Sequence, residues 1–188
     1  MAAAVSAVVG LQESGDESVM KAVMQVTRLF RHLIVPGWWV LRDFPKPLLR
    51  DIEQAIAASE ARHGGELRFV VEANMPVHGL LRGQSPRARA IELFSQLRVW
   101  DTERNSGVLI YLQLLDRRVE IVADRGIDAR VGQPFWSEVC RRMEEAFRAR
   151  RFEAGTLAAL AEISAALSQH FPGSGSDTNE LPDAPLLL

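Results

Sequence analysis

Cysteine is nearly absent, and the single Cys140 excludes an intrachain disulfide or any site built from several thiolates, such as a four-cysteine zinc or an iron–sulfur cluster. Lysine is almost as scarce. With only Lys21 and Lys46, and no G-x-x-x-x-G-K-[ST] stretch, the phosphate-cradling loop of P-loop hydrolases is missing, and so is a G-x-S-x-G nucleophile elbow. Neither sign of charge dominates: 22 basic against 24 acidic residues leave a net charge of −2, which argues against a nucleic-acid partner. No apolar run approaches the roughly 18 residues of a membrane span, and the longest, 33–41, carries Pro36 and Gly37. No internal repeat points to a solenoid. What remains is a chain of 188 residues, 47% apolar, long enough for one self-supporting core.

Residues 1–19 read as a disordered leader, since no Lys or Arg precedes their apolar stretch and an acidic one follows; Met20 is an alternative start. Residues 20–44 form an amphipathic helix and an aromatic-rich connector. Val23, Val26, Leu29, Phe30 and Leu33 share helical spacing, and Trp38, Trp39 and Phe44 follow the Pro36-Gly37 break. Packing of this segment onto the core is the expectation, with peripheral membrane contact as the alternative.

Residues 45–171 make the folded domain. A helix opens at Pro47 with Leu48, Leu49, Ile52, Ala55, Ile56 and Ser59 on one face and closes at Gly64-Gly65. A short strand over 67–71 follows, then a helix announced by Ser85-Pro86 with Ile91, Phe94 and Leu97 inward. The apolar run 107–115 and the alternating 118–123 read as a hairpin, and two helices complete the domain, one from Gln133-Pro134 and one over 153–171. Residues 172–188, rich in Pro, Gly, Ser and Asp, read as a disordered tail. The order predicts an α/β fold, a three-layer α/β/α sandwich around a small mixed sheet that includes a β-hairpin.

Among chemical groups, His32, His63, His78 and His170 share no metal-pair spacing and read as solvated helix-end or loop residues; His78, in the loop after the first strand, is the one placed where ligands gather. Cys140 falls on an apolar helix face and reads as an inert thiol. Two polar clusters stand at strand ends: Trp100-Asp101-Thr102-Glu103-Arg104-Asn105-Ser106-Gly107 and Ala123-Asp124-Arg125-Gly126-Ile127-Asp128. Carboxylates with Asn and backbone carbonyls suit Ca²⁺ or Mg²⁺, and Arg104 or Arg125 suits a phosphate; spacing alone favours the simpler reading, in which Asp and Asn start turns and the arginines pair with them.

These clusters and the strands they flank resemble the TPM domain, named for thylakoid lumen, photosystem II repair and MOLO proteins. The resemblance runs through Glu60 to Glu72, the Asn105-Ser106-Gly107-Val108-Leu109 strand entry and Arg118 to Ile127. It implies a Rossmann-like α/β/α sandwich, a divalent-cation site described as calcium-binding in some members, and an acid phosphatase activity assigned to a plant member. Where the family commonly has Gly-Tyr-Gly, this chain has Ala123-Asp124-Arg125-Gly126, with Gly126 expected to supply a positive φ. The expected site holds Ca²⁺ or Mg²⁺ on Asp101, Asn105, Asp124 and Asp128, with Asp101, Asp124 and Arg104 as catalytic candidates; Glu66 and Glu72 flank the first strand without an assigned role. The expected function is a cytoplasmic, divalent-cation-binding interaction module meeting a protein or membrane-protein partner, and the alternative is a metal-assisted acid phosphatase.

Overall fold

A computed structural model describes residues 20, 23–173 and 179–188, so the leader read at 1–19 lies outside the described residues. Strand β1 (Leu67–Glu72) lies parallel to β2 (Val108–Gln113), in a register that sets Leu67 beside Val108 and Glu72 beside Gln113. β3 (Arg118–Ala123) returns antiparallel to β2, which makes the expected hairpin. β4 (Leu186–Leu187) adds to the free edge of β1 in parallel, giving the order β3-β2-β1-β4.

Strand alternation sends side chains to two cores. On one face Leu67, Phe69, Val71, Val108, Ile110, Leu112, Val119 and Ile121 meet α3 (Lys46–Glu60), α7 (Gln133–Arg148) and α8 (Phe152–His170). On the other, Val70, Leu109, Tyr111 and Val122 meet α5 (Pro86–Gln96) and Leu181. The three-layer α/β/α arrangement follows, because a strand buried on both faces needs cover on each. Ahead of α3 come α1 (residues 23–34) and α2 (Val40–Asp43), and Phe44, directly after α2, seals one corner. Fully buried, it packs against the rings of Phe69, Phe147 and Phe152 at 6.1, 6.1 and 5.7 Å between centroids.

Local signals behaved as their chemistry dictates. Ser85 caps α5 by accepting the Ala88 amide at 3.1 Å, with Pro86 in the first turn. The face of α5 is rotated from the expected one: Ile91 is exposed, and Arg89, Ala90 and Leu93 are buried. The reason is a charge, because Arg89 turns inward to reach Glu72 on β1, with Nη2 to Oε1 at 2.8 Å, and Tyr111 donates its hydroxyl to the same carboxylate at 2.5 Å. Two further helices lie where loop was expected, α4 (Val77–Leu81) and α6 (Arg125–Val131).

The largest departure is the C-terminal segment. Residues 179–188, read as disordered tail, are held by side chains of the first strand region. Glu66 accepts the amides of Glu180 and Leu181 at 3.2 and 3.1 Å, and Arg68 donates to the carbonyls of Pro182 and Ala184. The edge of β1 then closes with Leu188 N to Val71 O and Ala73 N to Leu188 O, both at 3.0 Å. The Pro, Gly, Ser and Asp content of this region points to disorder, but Leu186, Leu187 and Leu188 are apolar, and the open edge of β1 offers their backbone its partners.

Acidic side chains crowd this junction. Burial, reinforced by Glu66 and Asp183, pushes the Glu60 carboxyl up to about 9, even though it accepts the Leu67 amide. Burial also raises Glu66. Between its unfolded and folded values Glu60 holds a proton that the unfolded chain has released, so its contribution to stability is present at acid pH and falls as pH rises through neutrality towards 9. Glu60→Gln keeps an acceptor for the Leu67 amide and removes the charge. Thermal unfolding of this variant at pH 8 is expected to show a raised midpoint and a flatter decline between pH 5 and 9; an unchanged midpoint refutes the assignment.

Candidate functional site

The two polar clusters meet at one end of the sheet. β3 runs antiparallel to β2, so its exit at Asp124 lies beside the entry of β2, and the Asp124 amide donates to Gly107 O at 2.8 Å. Asn105 takes a left-handed backbone (φ 52°), a conformation its short polar side chain tolerates. Gly126 does not have the expected positive φ. Its requirement is space, since a Cβ there would stand 2.4 Å from Asn105 O, as one at Gly107 would stand 1.9 Å from Val99 O. Thr102 and Ser106 tighten the loop: the Ser106 amide donates to Thr102 Oγ1 and the Ser106 hydroxyl to Gly64 O.

Each candidate ligand has a traceable position. Asp124 is buried and caps α6, its Oδ1 accepting the Arg125 amide at 2.6 Å, while Oδ2 is buried without a hydrogen-bond partner. Asn105 Oδ1 accepts from Arg125 Nε at 3.1 Å. Asp128 turns to the start of α7, where its Oδ1 accepts from Trp136 Nε1 and Gln133 Nε2 at 2.9 and 3.0 Å. Asp101 is exposed. Arg104 donates to Pro172 O and lies over the Phe171 ring. The structure thus brings Asn105 and Asp124 to one place and leaves Asp101 and Asp128 out of that contact. Among the described residues no three His, Cys, Asp or Glu side chains converge as a metal cage. The four-residue set therefore does not fit a preformed Ca²⁺ or Mg²⁺ site, and the one feature of it left without a hydrogen-bond partner is the buried Oδ2 of Asp124.

Comparison with known proteins decides the family. The family model for the TPM domain matches residues 47–166. This chain belongs to the TPM domain family. Among solved structures, the NMR structure of the BA42 protein from the psychrophilic bacterium Bizionia argentinensis is 26% identical, covering 74% of this chain and 92% of that one, with a TM-score of 0.65. The N-terminal domain of a protein from P. gingivalis, solved by NMR, is 18% identical over 76% of this chain and 96% of that one, at a TM-score of 0.55, and shares the fold. No curated protein matches. The TPM strand entry at Asn105-Ser106-Gly107 now has a physical basis in the left-handed turn and the two close backbone approaches around it.

At the opposite end of the TPM sheet stands a group that the sequence did not announce. Asp116, in the turn of the hairpin, accepts from Arg28 Nη2 at 2.6 Å and from His32 Nε2 at 3.3 Å. His32, expected to be solvated, is buried because its Nδ1 accepts the Met75 amide at 3.1 Å, which leaves Nε2 as the donor to Asp116. His63 is buried too, its Nδ1 accepting the Gly65 amide, whereas His78 is exposed on α4. Glu66 and Glu72, left without a role by the sequence, act as anchors for the C-terminal segment and for Arg89. Burial pushes the Cys140 thiol up to about 12, with Glu120 adding to the effect, and this agrees with an inert thiol.

The Asp116 contacts hold a helix, α1 (residues 23–34), that precedes the TPM match. Burial alone raises the Asp116 carboxyl, but the hydrogen bonds from His32 and Arg28 and the Arg28 charge outweigh it and hold it at about 2. A depressed carboxyl stabilises above its unfolded value, and the contribution is lost only as pH falls towards 2. Amide exchange in 23–34 is therefore expected to stay protected at pH 7 and at pH 4. In Asp116→Asn it should run about tenfold faster at pH 7, the scale of one lost charge-assisted hydrogen bond; equal protection in both chains refutes the hub.

Proposed function

We propose that this TPM chain is an interaction module whose contact surface is the outer face of α1 and the Trp38 turn. The observation that carries this is an inversion. α1 lies on the domain through its polar side, Arg28 and His32, and turns Phe30, Leu33, Ile34 and Trp38 outward, each more than half exposed. The expectation was an apolar face turned inward; among the described residues of the segment, only Val40 and Phe44 reach the apolar core. An apolar stripe of this extent, held in solvent by buried polar contacts, supports binding of an apolar face on a protein or membrane-protein partner. No helix among the described residues is long and apolar enough to cross a membrane. Sedimentation velocity over a concentration series, alone and with vesicles, tests the surface on wild type and Leu33→Glu/Ile34→Glu. Association of the wild type that the variant loses is the expected result, and a wild type that stays monomeric and in the supernatant refutes it.

A second reading, a hard-cation site at the Asp124 edge, is favoured by the buried unpaired Oδ2. Ca²⁺ and Mg²⁺ titration by calorimetry on wild type and Asp124→Ala is expected to show weak saturable binding that the variant lacks. Turnover of a phosphomonoester that disappears together with that binding favours the acid phosphatase alternative with Asp101, Asp124 and Arg104. Arg104 and Arg125 are occupied by Pro172 O and Asn105, so the binding role has the stronger support.

A further inference from the structure

Beside Asp116, a cleft of about 420 Å³ opens between the N-terminal segment, the β2–β3 turn and the junction of α7 with α8. Its floor is apolar, built from Leu112, Leu114, Val119, Phe147, Phe152 and the ring of Trp39. Six arginines line it: Arg31, Arg42, Arg117, Arg118, Arg148 and Arg150. Two carboxylates in the lining, Asp43 and Glu144, answer them, and each is shared. Asp43 receives Arg42 at 3.1 Å and Arg150 at 3.4 Å, and Glu144 receives Arg148 at 3.1 Å and Arg118 at 3.7 Å. Arg31 reaches Asp116 at 3.3 Å, and no ion pair is recorded for Arg117 among the described residues. The cleft is therefore cationic beyond what its own acids neutralise, although the chain as a whole carries a net charge of −2.

Guanidinium groups around an apolar floor select a ligand with an acid group on a hydrocarbon body, because the floor favours chain burial and planar guanidiniums chelate carboxylate or phosphate oxygens. The volume lies within the range of small-molecule sites, roughly 300–1,000 Å³. We infer that this cleft binds an anionic amphiphile, an acyl chain carrying a carboxylate or phosphate head. The chain lies on Leu112, Leu114 and Phe147, and the head sits between Arg118 and Arg148 on one side and Arg42 and Arg150 on the other. A free acyl acid and an acidic lipid in a bilayer offer the same chemistry. The inference rests on cleft residues and stands whether or not the outer face of α1 finds a partner.

Decanoate and decan-1-ol are the probes, titrated by calorimetry into the full chain. Decanoate is expected to bind saturably and decanol at least about tenfold more weakly, as for loss of one charge-assisted head contact. Arg118→Gln/Arg148→Gln should weaken decanoate by about tenfold, and Glu144→Gln, which frees both arginines while its amide oxygen still faces the Val119 amide, should tighten it several-fold. The Glu144 variant guards against misreading a folding defect, since misfolding does not tighten binding. Co-sedimentation with phosphatidylglycerol and with phosphatidylcholine vesicles separates the sources. Pelleting with the anionic vesicles that decanoate reverses identifies the bilayer lipid; decanoate binding without pelleting identifies the free acid. Equal binding of decanol and decanoate, indifference to both substitutions, or no saturable binding of decanoate or anionic vesicles overturns the inference.

Discussion

Burial of every residue in β1 and β2 is the constraint from which the rest of this molecule follows. Two adjacent strands with no exposed position must cover both faces, and any polar side chain within them must find its partner inside. Arg68, Glu72, Tyr111 and Gln113 are those side chains. Arg68 draws the carbonyls of Pro182 and Ala184 onto the sheet, Glu72 draws Arg89 of α5, and Gln113 donates to Ala73 O while accepting the Asp116 amide. Removing one partner of a buried charge pair such as Glu72 and Arg89 costs roughly 3–5 kcal/mol, so these contacts constrain the neighbours as firmly as apolar packing does.

The same constraint decides what the polar groups at the ends of the sheet bond to. At the entry of β2, acids and an arginine that carry the chemistry of a cation or phosphate site are largely committed to structure: Asp124 caps a helix, Asp128 holds an indole, and Arg125 spans to Asn105. At the other end, the hairpin turn places Asp116 where α1 can dock by charge. This is the reverse of ordinary helix packing, in which the apolar stripe goes inward. The orientation holds because Asp116, Met75 N and Asn74 Nδ2 are polar groups of the domain that the apolar stripe would have left unpaired; they meet Arg28, His32 and Val35 O.

The arginines follow a related logic. Those of the cleft come from four separate stretches of chain, and each is unremarkable among neighbouring charges. Only the fold gathers them around two acids and an apolar floor. A near-neutral total therefore hides a local excess of one sign, and local excess governs what an anion meets.

Elements defined by neighbours in sequence were legible: the Ser85-Pro86 cap, the stripe of Leu48, Ile52 and Ile56, the hairpin, and the three-layer order. Their causes act within a few residues, through capping, side-chain period and turn chemistry. The TPM membership was legible too, because the close approaches at Gly107 and Gly126 leave a recognisable spacing. Tertiary structure alone decided the rest. The pairing of Leu186 and Leu187 depends on an open edge more than a hundred residues earlier in the chain, and the inward turn of Arg89 depends on Glu72 across a layer. Whether an acid is a ligand, a cap or a hub is a matter of which groups reach it. Residue type cannot state that, because the same carboxylate serves all three.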